Sequence, residues 1–432
     1  MTTRQDCDVL DQEDPLRELK HQYDLPTGTI YLDGNSLGVL PRATLGRVQE
    51  VIQKEWGHDL IKSWNTAGWI ALPSRIGDKI ARLVGAAPGE LIVADSTSLN
   101  LYKVLSAAIG ISQQLAPERK LIVSERSNFP TDLYIAESLA RQHGWTLKLV
   151  DHVDEIPATL NAELGVLMLT EVNYRTGYRH DMQALTAAAH AAGALVIWDL
   201  AHSAGAVPVD LKGANADFAI GCGYKYLNGG PGAPAFVWAH PRHAERFWQP
   251  LSGWLGHAAP FQFTTDYQPA AGIKRYICGT PAMLSLAALE CGVDTVLAAE
   301  PFGGMAALRK KSIALTELFI ELAEARCAQL GVRLASPRDE AKRGSQVCLS
   351  LDAPLHEAGY AVIQALITRG VIGDFRAGDP SRLAEVPHIL RFGFTPLYIG
   401  FADVFDAVEH LHQVLSLKEW QRPEFQKQGA VT

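Results

Sequence analysis

Two ionisable residues, Asp199 and Lys225, bracket the part of the chain best suited to chemistry. Asp199 ends an apolar run, Ala194-Leu-Val-Ile-Trp198, where an unpaired charge is costly. Lys225 follows about one βα unit later, held between Tyr224 and Tyr226 and ahead of the rigid turn Asn228-Gly-Gly-Pro-Gly-Ala-Pro234. A lone lysine is ordinarily solvated surface, and these neighbours argue against that setting. A lysine amine condenses with an aldehyde, and an acid facing a pyridine nitrogen keeps that nitrogen protonated. The pair therefore suits pyridoxal phosphate, with Lys225 as the Schiff-base lysine and Asp199 on the ring nitrogen. His202 could reach the same ring or simply orient Asp199. Tyr224 could bind phosphate or donate a proton.

Such a site needs more parts, and candidates lie elsewhere in the chain. Ser96-Thr97-Ser98 opens a helix after the apolar run Leu91–Ala94. Hydroxyls and free amides at a helix start suit a dianionic phosphate, and equally an ordinary N-cap. Phe129, in Asn128-Phe-Pro-Thr-Asp132, could cover a ring face or pack in the core. Asp132 could cap a helix or accept a bond near the ring. Thr170 ends another apolar run. Gly34-Asn35-Ser36-Leu37-Gly38 is a tight turn with exposed amides, either a plain turn or a substrate-facing loop. The segment Ser63–Trp69 reads as a loop carrying two indoles, Trp64 and Trp69, and Trp254 sits in a further tight turn. Arg391 and Arg376 are both candidates for a substrate carboxylate, which a guanidinium binds bidentately.

These residues need a frame that brings strand ends together. Between Leu91 and Trp238, short apolar runs alternate with amphipathic stretches, which predicts a largely parallel sheet covered on both faces. Ligands of such doubly wound sheets bind beyond the carboxyl ends of the strands, where Ser96–Ser98, Asn128–Asp132, Thr170, Asp199 and Lys225 all fall. Residues 1–30 read as a polar arm with a short helix near Asp14–Tyr23, and Arg42–His58 as a helix. Long helices are predicted at Ala282–Ala299 and Pro301–Gln329, then strands at Val347–Leu351 and Ile389–Gly393 among further helices, and a polar tail from 418. The expected division is 1–60, an arm with part of a small lobe; 61–300, a large cofactor-binding domain; and 301–432, a small α+β domain.

The chain has 432 residues, 47% of them hydrophobic and 20% charged, with a formal net charge of −8. That charge disfavours nucleic acid or an anionic membrane as the main partner. Six scattered cysteines form no CxxC pair and no zinc-like cluster, so reduced thiols and no metal are expected. The acidic N-terminus does not read as a signal or transit peptide, and no apolar run approaches the ~20 residues of a membrane span. The expected location is cytoplasmic.

Six segments together resemble the kynureninase family of fold-type I pyridoxal phosphate enzymes: Tyr31–Gly38, Asp95–Asn100, Asn128–Asp132, Trp198–Gly205, Gly223–Asn228 and Leu390–Tyr398. They span nearly the whole chain. The resemblance implies hydrolytic cleavage of the Cβ–Cγ bond of L-kynurenine, and of 3-hydroxykynurenine, within tryptophan breakdown, to anthranilate or 3-hydroxyanthranilate and L-alanine. It implies that Thr97, Ser98, Tyr224, Trp254 and Thr280 hold the cofactor phosphate, with Trp254 and Thr280 reaching a neighbouring subunit of a homodimer. Phe129 would stack on the ring, with Pro130, Thr131, Asp132, Thr170, Asp199 and His202 around it. Ser36, Trp64 and Arg391 would face the substrate. Lys225, Tyr224 and Asp199 would carry the chemistry. Thr280 and the tryptophans near 64–69 point to kynurenine rather than its 3-hydroxylated form. Two other readings remain: another fold-type I enzyme, such as a cysteine desulfurase or an aminotransferase, and a non-catalytic protein that keeps the cofactor fold. A desulfurase would need a nucleophilic cysteine on a mobile loop. Cys222 lies too near Lys225 for that, and Cys348 falls in a predicted strand.

Overall fold

The computed structural model describes every residue except 1, 244, 245, 247, 428 and 430–432. Contacts group the chain into two units. One comprises residues 1–42, 174–179 and 295–432, and the other residues 43–173 and 180–294.

The larger unit is built on a seven-stranded sheet. Its order runs from Leu91–Val93 through Phe236–Ala239, Phe218–Gly221, Leu195–Asp199, Leu164–Thr170 and Leu121–Glu125 to Thr146–Val150. The last five strands in this order run parallel. Phe236–Ala239 pairs antiparallel with both its neighbours, a reversal not evident from its apolar composition. Leu164–Thr170 is buried at every position, as expected of a strand covered on both faces. On one face Val166, Met168, Ile197 and Ile220 pack with Leu101, Val104 and Leu105 of helix Thr97–Leu115 and Leu139 of helix Pro130–His143. On the other, Trp198 donates its indole N–H to Thr186 of helix Met182–Ala191 at 3.1 Å. The parallel register aligns Thr170 with Asp199, so their side chains leave the sheet at the same edge.

The smaller unit carries a four-stranded antiparallel sheet in the order Asp374–Arg376, Ile389–Gly393, Gln346–Leu351, Val332–Leu334. Helices Gly304–Cys327, Gly359–Thr368 and Phe401–Ser416 belong to the same unit. The short strand Ile30–Tyr31 pairs parallel with Val371–Ile372 and leads into the turn Asp33–Gly38.

Four local expectations need correction. The first helix is Arg4–Glu13 rather than one at Asp14–Tyr23, which holds only a 3₁₀ stretch, Arg17–Gln22. Thr3 and Asp6 form a capping box, and Arg4 pairs with Asp406, so a polar sequence is held helical by its cap and by an ion pair. The helix from Arg42 is α-helical only to Glu50 and continues as a π-helix over Val51–Asp59. Ser63–Trp69 is not a plain loop: it contains a helical turn, Ser63–Thr66, and leads into a 3₁₀ turn, Trp69–Ala71. Part of the polar tail is seated, with Phe425 buried in the 3₁₀ turn Pro423–Phe425.

Candidate active site

In the larger unit, Lys225 is half-buried beyond the strand Phe218–Gly221, on the loop that leads to the Gly/Pro turn. Its Nζ lies 3.0 Å from His202 Nε2, 5.6 Å from the Tyr224 ring centroid and 5.9 Å from that of Phe129. His202 is buried, whereas Phe129 is 43% exposed. Asp199 and Asp132 are 5% and 3% exposed. Asp199 accepts from the Ala201 N–H at 2.7 Å and interacts with the Thr170 hydroxyl and the Asp132 carboxyl. Thr170 also bonds Asn128, whose amide donates to Ser124 at 3.1 Å.

The electrostatics of this group are unbalanced. Burial first, and then the Asp199 charge, push the Asp132 carboxyl well above its ordinary range, while Lys225 pulls it down. Burial also raises Asp199, opposed by Lys225 and by the Ala201 N–H. Two buried carboxyls facing one ammonium keep a proton between them. A protonated pyridine nitrogen against Asp199 would supply the positive charge the pair lacks. Asp132 Oδ2 is a buried acceptor with no hydrogen-bond partner among the described residues. The residues thus fit a pyridinium ring with a polar substituent. Burial pushes the Tyr224 phenol upward as well, so it carries its proton at neutral pH.

Ser96 caps helix Thr97–Leu115, accepting from the Leu99 N–H at 3.3 Å. Thr97 and Ser98 therefore occupy its first turn, where orphan N–H groups favour an anion. Pro130 and Thr131 open helix Pro130–His143 and place Asp132 in its first turn. Trp64 and Trp254 meet edge-on at 6.4 Å, and Trp69, Phe261 and Phe263 complete an aromatic cluster. Thr280 is exposed on the segment after Cys278.

In the smaller unit, Arg391 and Asp374 stand directly opposite each other on antiparallel strands. Arg391 is 1% exposed. Its Nη2 donates to Asp374 and to Ser36 Oγ at 2.7 Å, and its Nη1 donates to the Tyr174 carbonyl at 2.9 Å. The Asn35 amide, oriented to satisfy its neighbours, accepts from Arg391 Nε at 3.0 Å and donates to Asp33 at 3.2 Å. A Cβ on Gly393 would stand 2.6 Å from Asn35 Cγ, so this approach requires glycine. Arg376 is more exposed and pairs with Asp374 at 2.6 Å. Ser36, Arg391 and Arg376 thus share one cluster. Asp374, Asn35, Asn128 and Tyr174 are part of these two groups and were not singled out from the sequence.

Residues 308–411 match the profile of the kynureninase C-terminal domain. Over 434 aligned positions, covering 100% of both chains, the protein is 56% identical to the kynureninase of Pseudomonas fluorescens. The chain belongs to the kynureninase family. It is also 53% identical, with the same coverage, to the kynureninase of Burkholderia pseudomallei strain 1106a. The fold is shared more widely. A cysteine desulfurase from Thermococcus onnurineus NA1 superposes with a TM-score of 0.75 at 18% identity, covering 92% of this chain and 98% of the other. A C-DES variant with glycine covalently linked to its PLP cofactor gives 0.76 at 16% identity, covering 91% and 98%. The architecture is therefore the fold-type I arrangement that the family resemblance implied, built on the largely parallel sheet expected from the strand pattern. Among the described residues, no helix is long and apolar enough to cross a membrane.

Proposed function

We propose that this chain hydrolyses the Cβ–Cγ bond of L-kynurenine to anthranilate and L-alanine, with pyridoxal 5'-phosphate as cofactor. The observation that carries the proposal is the full-length kynureninase identity, joined to a lysine amine 5.9 Å from the Phe129 ring centroid and backed by two buried carboxyls. When bound, the cofactor supplies an aldehyde for the substrate amine and a ring that accepts electrons.

The chain's own residues divide the remaining work. Asp199 holds the ring nitrogen protonated, and Asp132 with Thr170 fixes Asp199. Lys225 Nζ removes the substrate α-proton, with His202 Nε2, at 3.0 Å, holding the amine in place. Thr97 and Ser98 offer the first turn of their helix to the phosphate, and Phe129 covers the ring. Tyr224, kept protonated by burial, donates a proton to the three-carbon fragment after water has added to the γ-carbonyl and the carbon–carbon bond has broken. Arg391 receives the substrate carboxylate, with Ser36 beside it. Trp64 and Trp254 form the aromatic wall. Thr280 and Trp254 complete a phosphate site in a homodimer, and the protein works in the cytoplasm.

The cysteines weigh against desulfuration. Burial pushes all six thiols upward, so none is poised as a thiolate. The test is product analysis with L-kynurenine, together with borohydride fixation of the cofactor. Anthranilate and alanine in equal amounts, with label on Lys225, are expected. Transfer of the amino group, or a protein unable to take up the cofactor, would refute the reading.

A further inference from the structure

One buried cation of the larger unit has no part in the chemistry above. Lys103 sits on the second turn of helix Thr97–Leu115 and is 0% exposed. A lysine is seldom buried this fully unless its N–H groups are paired. Its Nζ donates to the Tyr276 carbonyl at 2.6 Å, to Asn100 Oδ1 at 3.3 Å and to Asp95 Oδ2. Three donors meet three acceptors.

Each acceptor belongs to the ground on which the phosphate-binding turn rests. Asp95 directly precedes the N-cap Ser96 and holds a left-handed φ of +48°, which turns the chain into the helix. Asn100 also donates to the Ala94 carbonyl at 2.8 Å, tying the same turn from behind. Tyr276 leads into the segment that carries Cys278 and Thr280, and the Trp254 turn lies on that backbone. A Cβ on Gly253 would come within 2.1 Å of the Cys278 carbonyl oxygen. Lys103 therefore staples the start of the helix to the strand of chain under Trp254.

Charge makes the staple specific. The Asp95 side chain is 27% exposed, one residue before the N-cap. A carboxylate left unpaired there would oppose any anion entering the first turn. Lys103 cancels that charge from below without occupying the turn itself.

We propose that Lys103 is a positioning residue for phosphate: it neutralises Asp95 and ties the helix start to the Tyr276–Thr280 segment, leaving the first turn open to a dianion. The proposal rests on the pyridoxal phosphate reading of this site. It is tested on the full chain dialysed free of cofactor, by titrating pyridoxal 5'-phosphate and, in parallel, pyridoxal, which lacks the phosphate. Wild-type protein that binds no pyridoxal 5'-phosphate would sink the cofactor reading itself. Given binding, Lys103→Met is expected to weaken pyridoxal 5'-phosphate by about tenfold, the size a charge at a helix N-terminus can reach, while leaving pyridoxal affinity unchanged. Adding Asp95→Asn should restore most of the loss. Equal losses for both ligands, no loss, or no recovery in the double variant would each overturn the proposal. Should Lys103→Met fail to fold, Asp95→Asn alone decides. It leaves the lysine charge uncompensated and should raise the preference for the phosphorylated ligand; a preference at or below wild type overturns the proposal.

Discussion

Asp33 offers a sharp test of how the arginine cluster is balanced. Burial, and then the neighbouring Asp374 charge, push its carboxyl from 3.8 up to about 7, with Arg391, Ser36 and Arg376 pulling the other way. The folded protein therefore holds a proton here that the unfolded chain releases. For such a group, stability is full below the unfolded value and is lost as pH rises through the folded one. A rise from 3.8 to about 7 corresponds to at most about 4 kcal/mol of stability lost across that interval. Asp33→Asn keeps an acceptor oxygen for Asn35 and removes the ionisation. It should be more stable than wild type by about 1–4 kcal/mol at about pH 8, a gap that closes only at about pH 3.5, below the unfolded value of 3.8. Urea titrations of both proteins at the two pH values measure this directly. The substrate carboxylate provides a second reading. Above pH 7 the ionised Asp33 adds a negative charge beside Arg391, so KM should rise with pH in wild type and stay flat in the variant. Parallel stability curves, or an alkaline rise in KM that persists in Asp33→Asn, would refute the reasoning.

Two other predictions concern single residues. Arg391→Ala removes a charge-assisted contact of about 1.5–3 kcal/mol, so kcat/KM for kynurenine should fall by about 10–150-fold, mainly through KM, with cofactor affinity changing far less. Equal changes in steady-state KM and in cofactor titration would move the carboxylate contact elsewhere. Asp217 is 1% exposed and accepts from His190 at 2.8 Å, His243 at 2.7 Å, the Val196 N–H at 2.8 Å and Arg242. Its carboxyl is held well below the usual range by His190, His243 and Arg242 against the penalty of burial, so its contribution is present near neutral pH and lost as pH falls. Asp217→Ala should cost about 3–5 kcal/mol at neutral pH, read from denaturant midpoints, and the gap to wild type should close in acid.

How legible these groups were depends on whether local sequence carries their meaning. Asp199 and Thr170 end apolar runs, and a parallel sheet brings such ends together, so their role could be read without tertiary detail. The approach of Asp132 to Asp199 could not, because it depends on which strands are neighbours. Asp374 is one acid in a mixed segment, and its importance comes from a cross-strand register that sets it opposite Arg391. Lys103, among Leu101, Tyr102, Val104 and Leu105, looks like a surface lysine until the backbone of Tyr276 is seen against it. The first helix was masked by its acidity: the Thr3…Asp6 cap was present in the sequence, but the polar composition around it pointed to an arm. The π-helical stretch at Val51–Asp59 has no compositional mark, since it shifts hydrogen-bond partners without changing residue types.

The way the chain is shared between its units bears on how it is made. Residues 1–42 find their partners among residues 295–432 and 174–179, with about 250 residues synthesised between the first and last of these segments. At about 5–20 residues per second that interval lasts about 10–50 s. The larger unit can collapse during it, but the N-terminal segment must wait, with its apolar residues Leu16, Leu19 and Tyr23, until the ribosome has delivered the C-terminal third. A nascent chain stalled near residue 294 should therefore hold its first 42 residues open to protease while residues 43–294 already resist it.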